Sequence, residues 1–441
     1  MFWLELIIVL GMILVGARYG GIFLGMSSGL AVGILIFVFG CVPGTPAIDV
    51  MMIIMTVVVI ASVLQASGGM NYLVQLAIRL LKKNPSRITF YGPLISYLFT
   101  FMCGTGNIVF SILPVIAEVS REAGIRPERP ISISVVASQQ AITACPISAA
   151  TVALLGFLAP SGITLIDILV VCIPATLIGV LVGALYASRM GKDLEKDSEY
   201  LKRVAEGKST AINERSVVNN QNSFGKKEKL SVGLYLLAAI IVISFGLFPN
   251  LRPDFILGDK TVTLSMTMTI EIVMMLMAGV IVMVCKVNIP EIIEQSVFKQ
   301  GLMGVYAIFG LSWAGDTLLK NNLEFLKNGA QDAIAANPWL FALLLFFMST
   351  IILSQAGTLG ALAVLGMALG VQAPDMIGMF PAVNGYFFIP IYATVLAGIA
   401  FDRTGTTHIG KYVFNHSFMI PGLITTIVSV AIGMTLANMI L

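Results

Sequence analysis

Twice in this chain a polar, glycine-rich stretch interrupts sequence that is otherwise apolar enough to lie in a bilayer. The first runs from Gly104-Thr105-Gly106-Asn107 to Pro146 and includes Ser138-Gln139-Gln140-Ala141-Ile142-Thr143. The second runs from Ser354-Gln355-Ala356-Gly357-Thr358 to Pro390 and includes Asn384-Gly385-Tyr386. Hydrocarbon offers no partner to a bare peptide group, so irregular backbone at membrane depth is tolerated only against other protein or a watery cavity. Two matched interruptions, one in each half, point to the substrate site of a transporter.

With 57% hydrophobic and 11% charged residues and a mean hydropathy of +0.94, the chain is a polytopic membrane protein in a lipid bilayer. A soluble globule carries roughly 25% charged residues. The net charge of +3 is small and the basic residues sit in short loops, which argues against a nucleic-acid partner. Cys41, Cys103, Cys145, Cys172 and Cys285 lie in or beside apolar segments without metal-ligand spacing, and read as small buried hydrophobes.

The N-terminus lacks the basic start of a signal peptide and reads as a retained first span ending near Arg18. Apolar stretches follow at 19–40, 48–67, 88–122, 131–158 and 163–187, then at 231–249, 264–285, 300–318, 338–371, 377–400 and 413–440. Those at 88–122 and 338–371 each divide into two arms around a polar tip, and an arm is shorter than the roughly 20 residues a span requires. Each is expected to be a re-entrant hairpin, while 131–158 and 377–400 are expected to be broken helices. Arg79, Lys82, Lys83 and Arg87 precede the first hairpin and Arg121, Arg126 and Arg129 follow it, which puts both its ends in the cytoplasm. The linker from Arg189 to Lys229 carries ten Lys/Arg and belongs on the same side.

Counting onward gives an all-α protein of ten spans and two hairpins, with both termini periplasmic. Residues 1–187 form a first repeat, 188–230 a cytoplasmic linker and 231–441 a second repeat, inverted because each repeat crosses an odd number of times. Pro146-Ile147-Ser148-Ala149-Ala150-Thr151-Val152 is echoed by Pro390-Ile391-Tyr392-Ala393-Thr394-Val395 at the equivalent break.

Each of the four interruptions is followed by a helix whose N-terminus carries unpaired N–H groups and about half a positive charge. Four together could oppose a dianion, and carbonyls at the opposite helix ends could instead hold a coupling sodium ion. Uncharged donors and acceptors surround them: Thr105, Asn107, Ser138, Gln139, Gln140, Thr143, Ser148, Ser354, Gln355, Thr358, Asn384, Tyr386, Tyr392 and Thr394. With Gly104, Gly106, Pro146, Gly357 and Pro390 these form the candidate substrate site. Gly and small polar residues also mediate plain helix packing, so it is their joint pattern that carries weight.

Glu271, read as near the middle of the span 264–285, is the candidate for proton coupling, because ionisable groups within a membrane are expensive and usually functional. Gly104-Thr105-Gly106 has neither a preceding strand nor a phosphate-loop lysine, which excludes nucleotide binding. His408 and His416 lack accompanying ligands for a metal, and Cys145 has no histidine in its segment to make it a nucleophile. Neither a metal nor a cofactor is expected, and the chain is not read as an enzyme; a sodium- or proton-coupled symporter of an organic anion is the alternative to an exchanger, with an intramembrane enzyme or an anion channel ranked below it.

Leu64-Gln65-Ala66-Ser67-Gly68-Gly69, Cys103-Gly104-Thr105-Gly106-Asn107, Arg126-Pro127-Glu128-Arg129-Pro130 and Phe401-Asp402-Arg403-Thr404-Gly405-Thr406-Thr407-His408-Ile409-Gly410 are long, specific runs, as is Asn415-His416-Ser417-Phe418. At these residues, and over nearly its whole length, the chain resembles the anaerobic C4-dicarboxylate transporters (Dcu family, of the DcuA/DcuB type). The resemblance implies a bacterial inner-membrane carrier that exchanges fumarate, malate or aspartate for succinate during anaerobic respiration, with kinship to elevator-type transporters. It departs from the family's pattern at Ile391-Tyr392-Ala393-Thr394 and at Asn384, which leaves the preferred C4 acid open, as a homodimer is left open.

Overall fold

The computed structural model describes residues 1–19, 21–206, 225–257, 260–329, 337, 339–410 and 415–441. Part of the expected linker (207–224), residue 338 at the start of the second expected hairpin and 413–414 at the start of the last expected span lie outside the described residues. The protein is mostly helical. Among the described residues, seven helices are long and apolar enough to cross a membrane by length and composition. Of the ten expected spans, the first two form the helices Phe2–Tyr19 and Phe23–Phe37, which fall outside that group, and the two expected as broken are divided, 131–158 between Glu128–Ala144 and Ala149–Leu158 and 377–400 among Ala373–Met379, Phe380–Phe387 and Ala393–Phe401. At 1.5 Å per residue, 15 residues reach only about 22 Å of a core roughly 30 Å thick.

Two elements were not anticipated from the hydropathy pattern. Gly69–Leu81 is an amphipathic helix that buries Met70, Leu73, Ala77 and Leu81, a spacing that puts all four on one face. It starts where Gly68 takes φ +80°, a left-handed turn open to glycine without steric cost. Asp254–Leu257 and Lys260–Thr263 form a small antiparallel hairpin, so the fold is not helical throughout.

Helix Glu128–Ala144 is the centre of one body: every residue but Arg129 is buried, against helices Ile88–Cys103, Val109–Glu122, Leu165–Ala187 and Met419–Ile440. The last two run antiparallel and close. A β-carbon on Gly179 would stand 2.1 Å from Ser429 Oγ, and one on Gly183 2.1 Å from Thr425 Oγ1, so the approach depends on glycine. A second body is built from Phe2–Tyr19, Phe23–Phe37, Ile48–Ala66, Met266–Cys285 and the long helix Ser296–Gly329, which kinks at Asn322. There Gly25 and Gly310 let two backbones touch, Gly310 lying against the Gly25 carbonyl.

The segments expected as hairpins are helix pairs that fold back on themselves. Ile88–Cys103 and Val109–Glu122 pack on one another, and the turn Pro85–Arg87 touches both. Trp339–Ile352 and Gln355–Ala368 do the same, with Gly366 against the Phe341 ring at their shared base. Their bases adjoin opposite ends of the broken segment 128–158, the first near Glu128 and the second near Pro160. Glu118 and Arg121 of the first pair adjoin Asp402 and Arg403. Val364 and Met367 of the second adjoin Asp49, Pro160 and Asp316.

Candidate functional site

At the first tip, helix Ile88–Cys103 ends because Gly104 turns left-handed at φ +68°. A β-carbon there would stand 2.7 Å from the Ile147 carbonyl oxygen, so the tip is seated directly on the first break. Two bonds hold it: the Tyr235 hydroxyl donates to the Cys103 carbonyl at 2.9 Å, and the Cys145 thiol donates to the Phe101 carbonyl at 3.0 Å. Thr105 then caps the next turn by accepting from Asn107 N at 3.3 Å. At the second tip, Leu353 turns with φ +54° and Ser354 caps the following helix by accepting from Gly357 N at 3.0 Å.

The breaks satisfy their own backbone. Pro146 cannot continue a helical ladder, and the freed Ile142 carbonyl accepts from Ser148 Oγ at 2.6 Å and Thr151 Oγ1 at 3.0 Å. Ser148 also accepts from Thr151 N at 3.1 Å, starting helix Ala149–Leu158. The second break is built differently from the first. After Ala373–Met379 the chain tightens into 3-10 turns over Phe380–Phe387, kinked at Asn384, before resuming as Ala393–Phe401. Its Gly385 is clamped by the second hairpin, with Gly385 N donating to Ser349 Oγ at 2.9 Å and Thr350 Oγ1 donating to the Gly385 carbonyl at 3.1 Å.

Four buried carboxamides join these parts. Gln355 Nε2 donates to Gln139 Oε1 at 3.2 Å and to Asn384 Oδ1 at 3.0 Å. Asn384 Nδ2 donates to Gln140 Oε1 at 3.2 Å, and Gln140 Nε2 to Thr426 Oγ1 at 3.3 Å. Gly106 packs on this network, the position of its missing β-carbon lying 2.9 Å from Gln139 Nε2.

Two adjoining cavities, of about 170 and 390 Å³, open between the tips and the second body. They share Asn107, Gln300, Gly304, Ser354, Gln355 and Tyr392, and no Asp, Glu, Lys or Arg is among the described residues lining either. Four helix starts border them: Gly106-Asn107, Ala149-Ala150, Gln355-Ala356 and Tyr392-Ala393-Thr394. Thr394 Oγ1 is buried without a partner, as is the Tyr386 hydroxyl, whose ring packs on Tyr392 at 4.6 Å between centroids. Such a lining suits an anion rich in acceptor oxygens.

Of the nineteen residues expected at the site, Gly104, Thr105, Gly106, Asn107, Ser354, Gln355, Tyr392 and Thr394 line the cavities. Gln139, Gln140 and Asn384 stand behind them in the carboxamide network. Ser138, Thr143 and Thr358 bond to carbonyls of their own helices, Val135, Gln140 and Ser354, at 2.8 Å each. With Ser148, Pro146, Gly357, Tyr386 and Pro390 they belong to the second tip and the broken segments without lining either cavity. Glu271 sits in the second turn of helix Met266–Cys285, not near its middle, and lines neither cavity. Gln300 was not expected; its Oε1 accepts from Asn107 Nδ2 at 2.7 Å. Glu128, Thr406 and Ser417, from runs that carry the resemblance, meet away from the cavities: Ser417 Oγ donates to Glu128 Oε1 at 2.7 Å and Glu128 N to Thr406 Oγ1 at 3.2 Å.

The model of a family described as anaerobic C4-dicarboxylate membrane transporter matches residues 1–441. The chain is 38% identical to the C4-dicarboxylate transporter DcuA of Wolinella succinogenes over 437 residues, 99% of each chain. It is 39% identical to DcuA of Escherichia coli K12 over 438 residues, again 99% of each. With the anaerobic C4-dicarboxylate transporter DcuB of Escherichia coli O6:H1 it shares 36% over 446 residues, 100% of this chain and 99% of the other. Among solved structures, Alcanivorax borkumensis YdaH superposes with a TM-score of 0.54 at 15% identity, covering 88% of this chain and 84% of that one. Neisseria gonorrhoeae MtrF, described with a class of antimetabolite efflux pumps, gives 0.52 at 10% identity, over 87% and 80%. These two likenesses are of fold alone.

Proposed function

This chain belongs to the anaerobic C4-dicarboxylate membrane transporter family, is a multi-pass membrane transporter and not an enzyme, and from that premise we propose that it exchanges one C4-dicarboxylate for another across the bacterial inner membrane. Succinate against fumarate, malate or aspartate is the pairing. The observation that carries this reading is the convergence of four helix N-termini on a cavity lined by uncharged donors. At about half an elementary charge each, four N-termini nominally match the two charges of a dianion. Neutral donors hold carboxylates without leaving a buried positive charge unpaired when the cavity is empty.

The hairpin-bearing body is the part that moves, by an elevator motion against the second body, and the two halves act as inverted repeats with both termini in the periplasm. The opposite placement of the two hairpin bases and the Lys/Arg-rich segments around the first support this arrangement. Cysteines at Lys83 and Asp254 are expected to react with an impermeant thiol reagent from opposite faces of the membrane; reaction from the same face ends the inverted-repeat reading.

The functional test is uptake of labelled succinate into proteoliposomes. Preloading with fumarate or succinate should stimulate uptake strongly, and empty vesicles should accumulate little. Uptake into empty vesicles driven by a sodium or proton gradient would replace exchange with cation-coupled symport.

A further inference from the structure

We infer that Gln300 is a substrate-contacting, specificity-determining residue: it gives the cavity's second wall a donor for a carboxylate, and it holds the first hairpin tip beside that carboxylate. The inference deepens the dicarboxylate reading of the cavity and rests on it. Helix Ile48–Ala66 contributes Ile54, Val57, Val58 and Ala61 to this wall, and helix Ser296–Gly329 contributes Val297 and Ile308 around Gln300. Among the described lining residues, Gln300 alone brings an N–H side chain from these two helices. The other candidate donors belong to the hairpins and breaks.

With its Oε1 accepting from Asn107 Nδ2 at 2.7 Å, Gln300 keeps both hydrogens of its own nitrogen for a further acceptor. Gly304, one turn along the same face, has no atom within 4 Å of the point where a β-carbon would stand, so the space beside Gln300 is open. A carboxylate there can accept from Gln300 Nε2 and from the second hydrogen of Asn107 Nδ2 together. The far carboxylate of a four-carbon diacid then reaches toward the tips and the start of helix Ala393–Phe401, where Thr394 Oγ1 is buried and unpartnered. A dianion fills both of these positions, whereas a monocarboxylate can fill only one.

Gln300→Glu tests this with little change of shape. It keeps an oxygen for Asn107, replaces the free donor by an acceptor and sets a like charge against the substrate. For succinate exchange at neutral pH, apparent KM should rise about tenfold or more, with the amount of folded protein unchanged by size-exclusion chromatography. As pH falls through the carboxyl range and the introduced group protonates, KM should recover relative to wild type assayed at each pH. Gln300→Ala removes both roles and should raise KM at every pH without that recovery. A KM within about twofold of wild type in both variants, beside a wild type that exchanges succinate, overturns the inference and leaves the functional reading standing. A wild type that exchanges no dicarboxylate overturns both.

Discussion

Gln355 Nε2 donates to Asn384 Oδ1 at 3.0 Å, tying the tip of the second hairpin to the second break, and the same nitrogen reaches Gln139 Oε1 at 3.2 Å. One side chain therefore joins a hairpin tip to the broken segments of both halves of the chain. Gln355 also faces both cavities, so it is wall and tie at once. In low-dielectric surroundings the bonds of such a network stiffen the parts they join, and deleting one member strands its partners.

Gln355→Ala should accordingly be felt twice. Removing its amide leaves Gln139 Oε1 and Asn384 Oδ1 without this donor, at a cost of about 1–3 kcal/mol for each buried group stranded. Thermal unfolding in detergent should shift down, and apparent KM for succinate should rise about tenfold from the lost contact. A shift in stability with KM untouched would make Gln355 a tie alone.

Gly104 and Gly124 offer a matched pair, since both hold a left-handed backbone, at φ +68° and +71°. Alanine costs about 1–2 kcal/mol in that conformation wherever it is placed. At Gly124 nothing lies within 4 Å of the added carbon, whereas at Gly104 it meets the Ile147 carbonyl oxygen at 2.7 Å. Gly104→Ala should therefore unseat the first tip and abolish exchange, while Gly124→Ala lowers stability and leaves KM near that of wild type. Equal transport by the two variants would remove the seating of the tip as a functional requirement.

The tips and breaks were legible in the sequence because hydrocarbon cannot host Gly104-Thr105-Gly106-Asn107 or Ser354-Gln355 as bare chain, so polarity in an apolar run had to mean a packed or wet interior. Which polar groups face that interior was not legible. Ser148, Thr143 and Thr358 have the same chemistry as the lining residues, but backbone carbonyls freed or available nearby engage them first. Gln300 escaped notice because a single glutamine at the start of an apolar run reads as an interfacial residue, and only its contact with Asn107, 193 positions away, places it at the cavity. The helix Gly69–Leu81 is harder to read because Asn71, Gln75 and Arg79 interrupt its apolar run and its 13 residues are too few for a span, although its 70, 73, 77, 81 spacing marks one apolar face.

Gly304 permits a test of the cavity that spares the fold. Its missing side chain would meet no atom within 4 Å, so a larger residue grows into the space both cavities share. Glycine is also the poorer helix former, by about 1 kcal/mol against alanine. Gly304→Leu should give protein that elutes and unfolds like wild type yet exchanges little succinate, and Gly304→Ala should fall between them. Normal exchange by Gly304→Leu would move the substrate path elsewhere.

The absence of charged side chains among the described cavity-lining residues also bears on energetics. Exchange of one dianion for another moves no net charge and requires no protein group to change protonation. Succinate efflux should therefore drive fumarate uptake with little response to an imposed membrane potential. Its pH profile should follow the fraction of substrate present as dianion, falling on the acid side as carboxylates protonate and staying level above that range. Glu271 lines neither cavity, so Glu271→Gln should leave the rate within about twofold and the profile unmoved, a change worth less than 0.5 kcal/mol in the barrier. Aspartate carries one net negative charge near neutral pH, so its exchange for succinate should respond to potential unless a proton or cation travels with it. Measuring both substrate pairs in one preparation, with wild type and Glu271→Gln, separates exchange stoichiometry from ion coupling. Loss of aspartate exchange alone in the variant would make Glu271 the coupling carboxylate despite its distance in sequence from the tips.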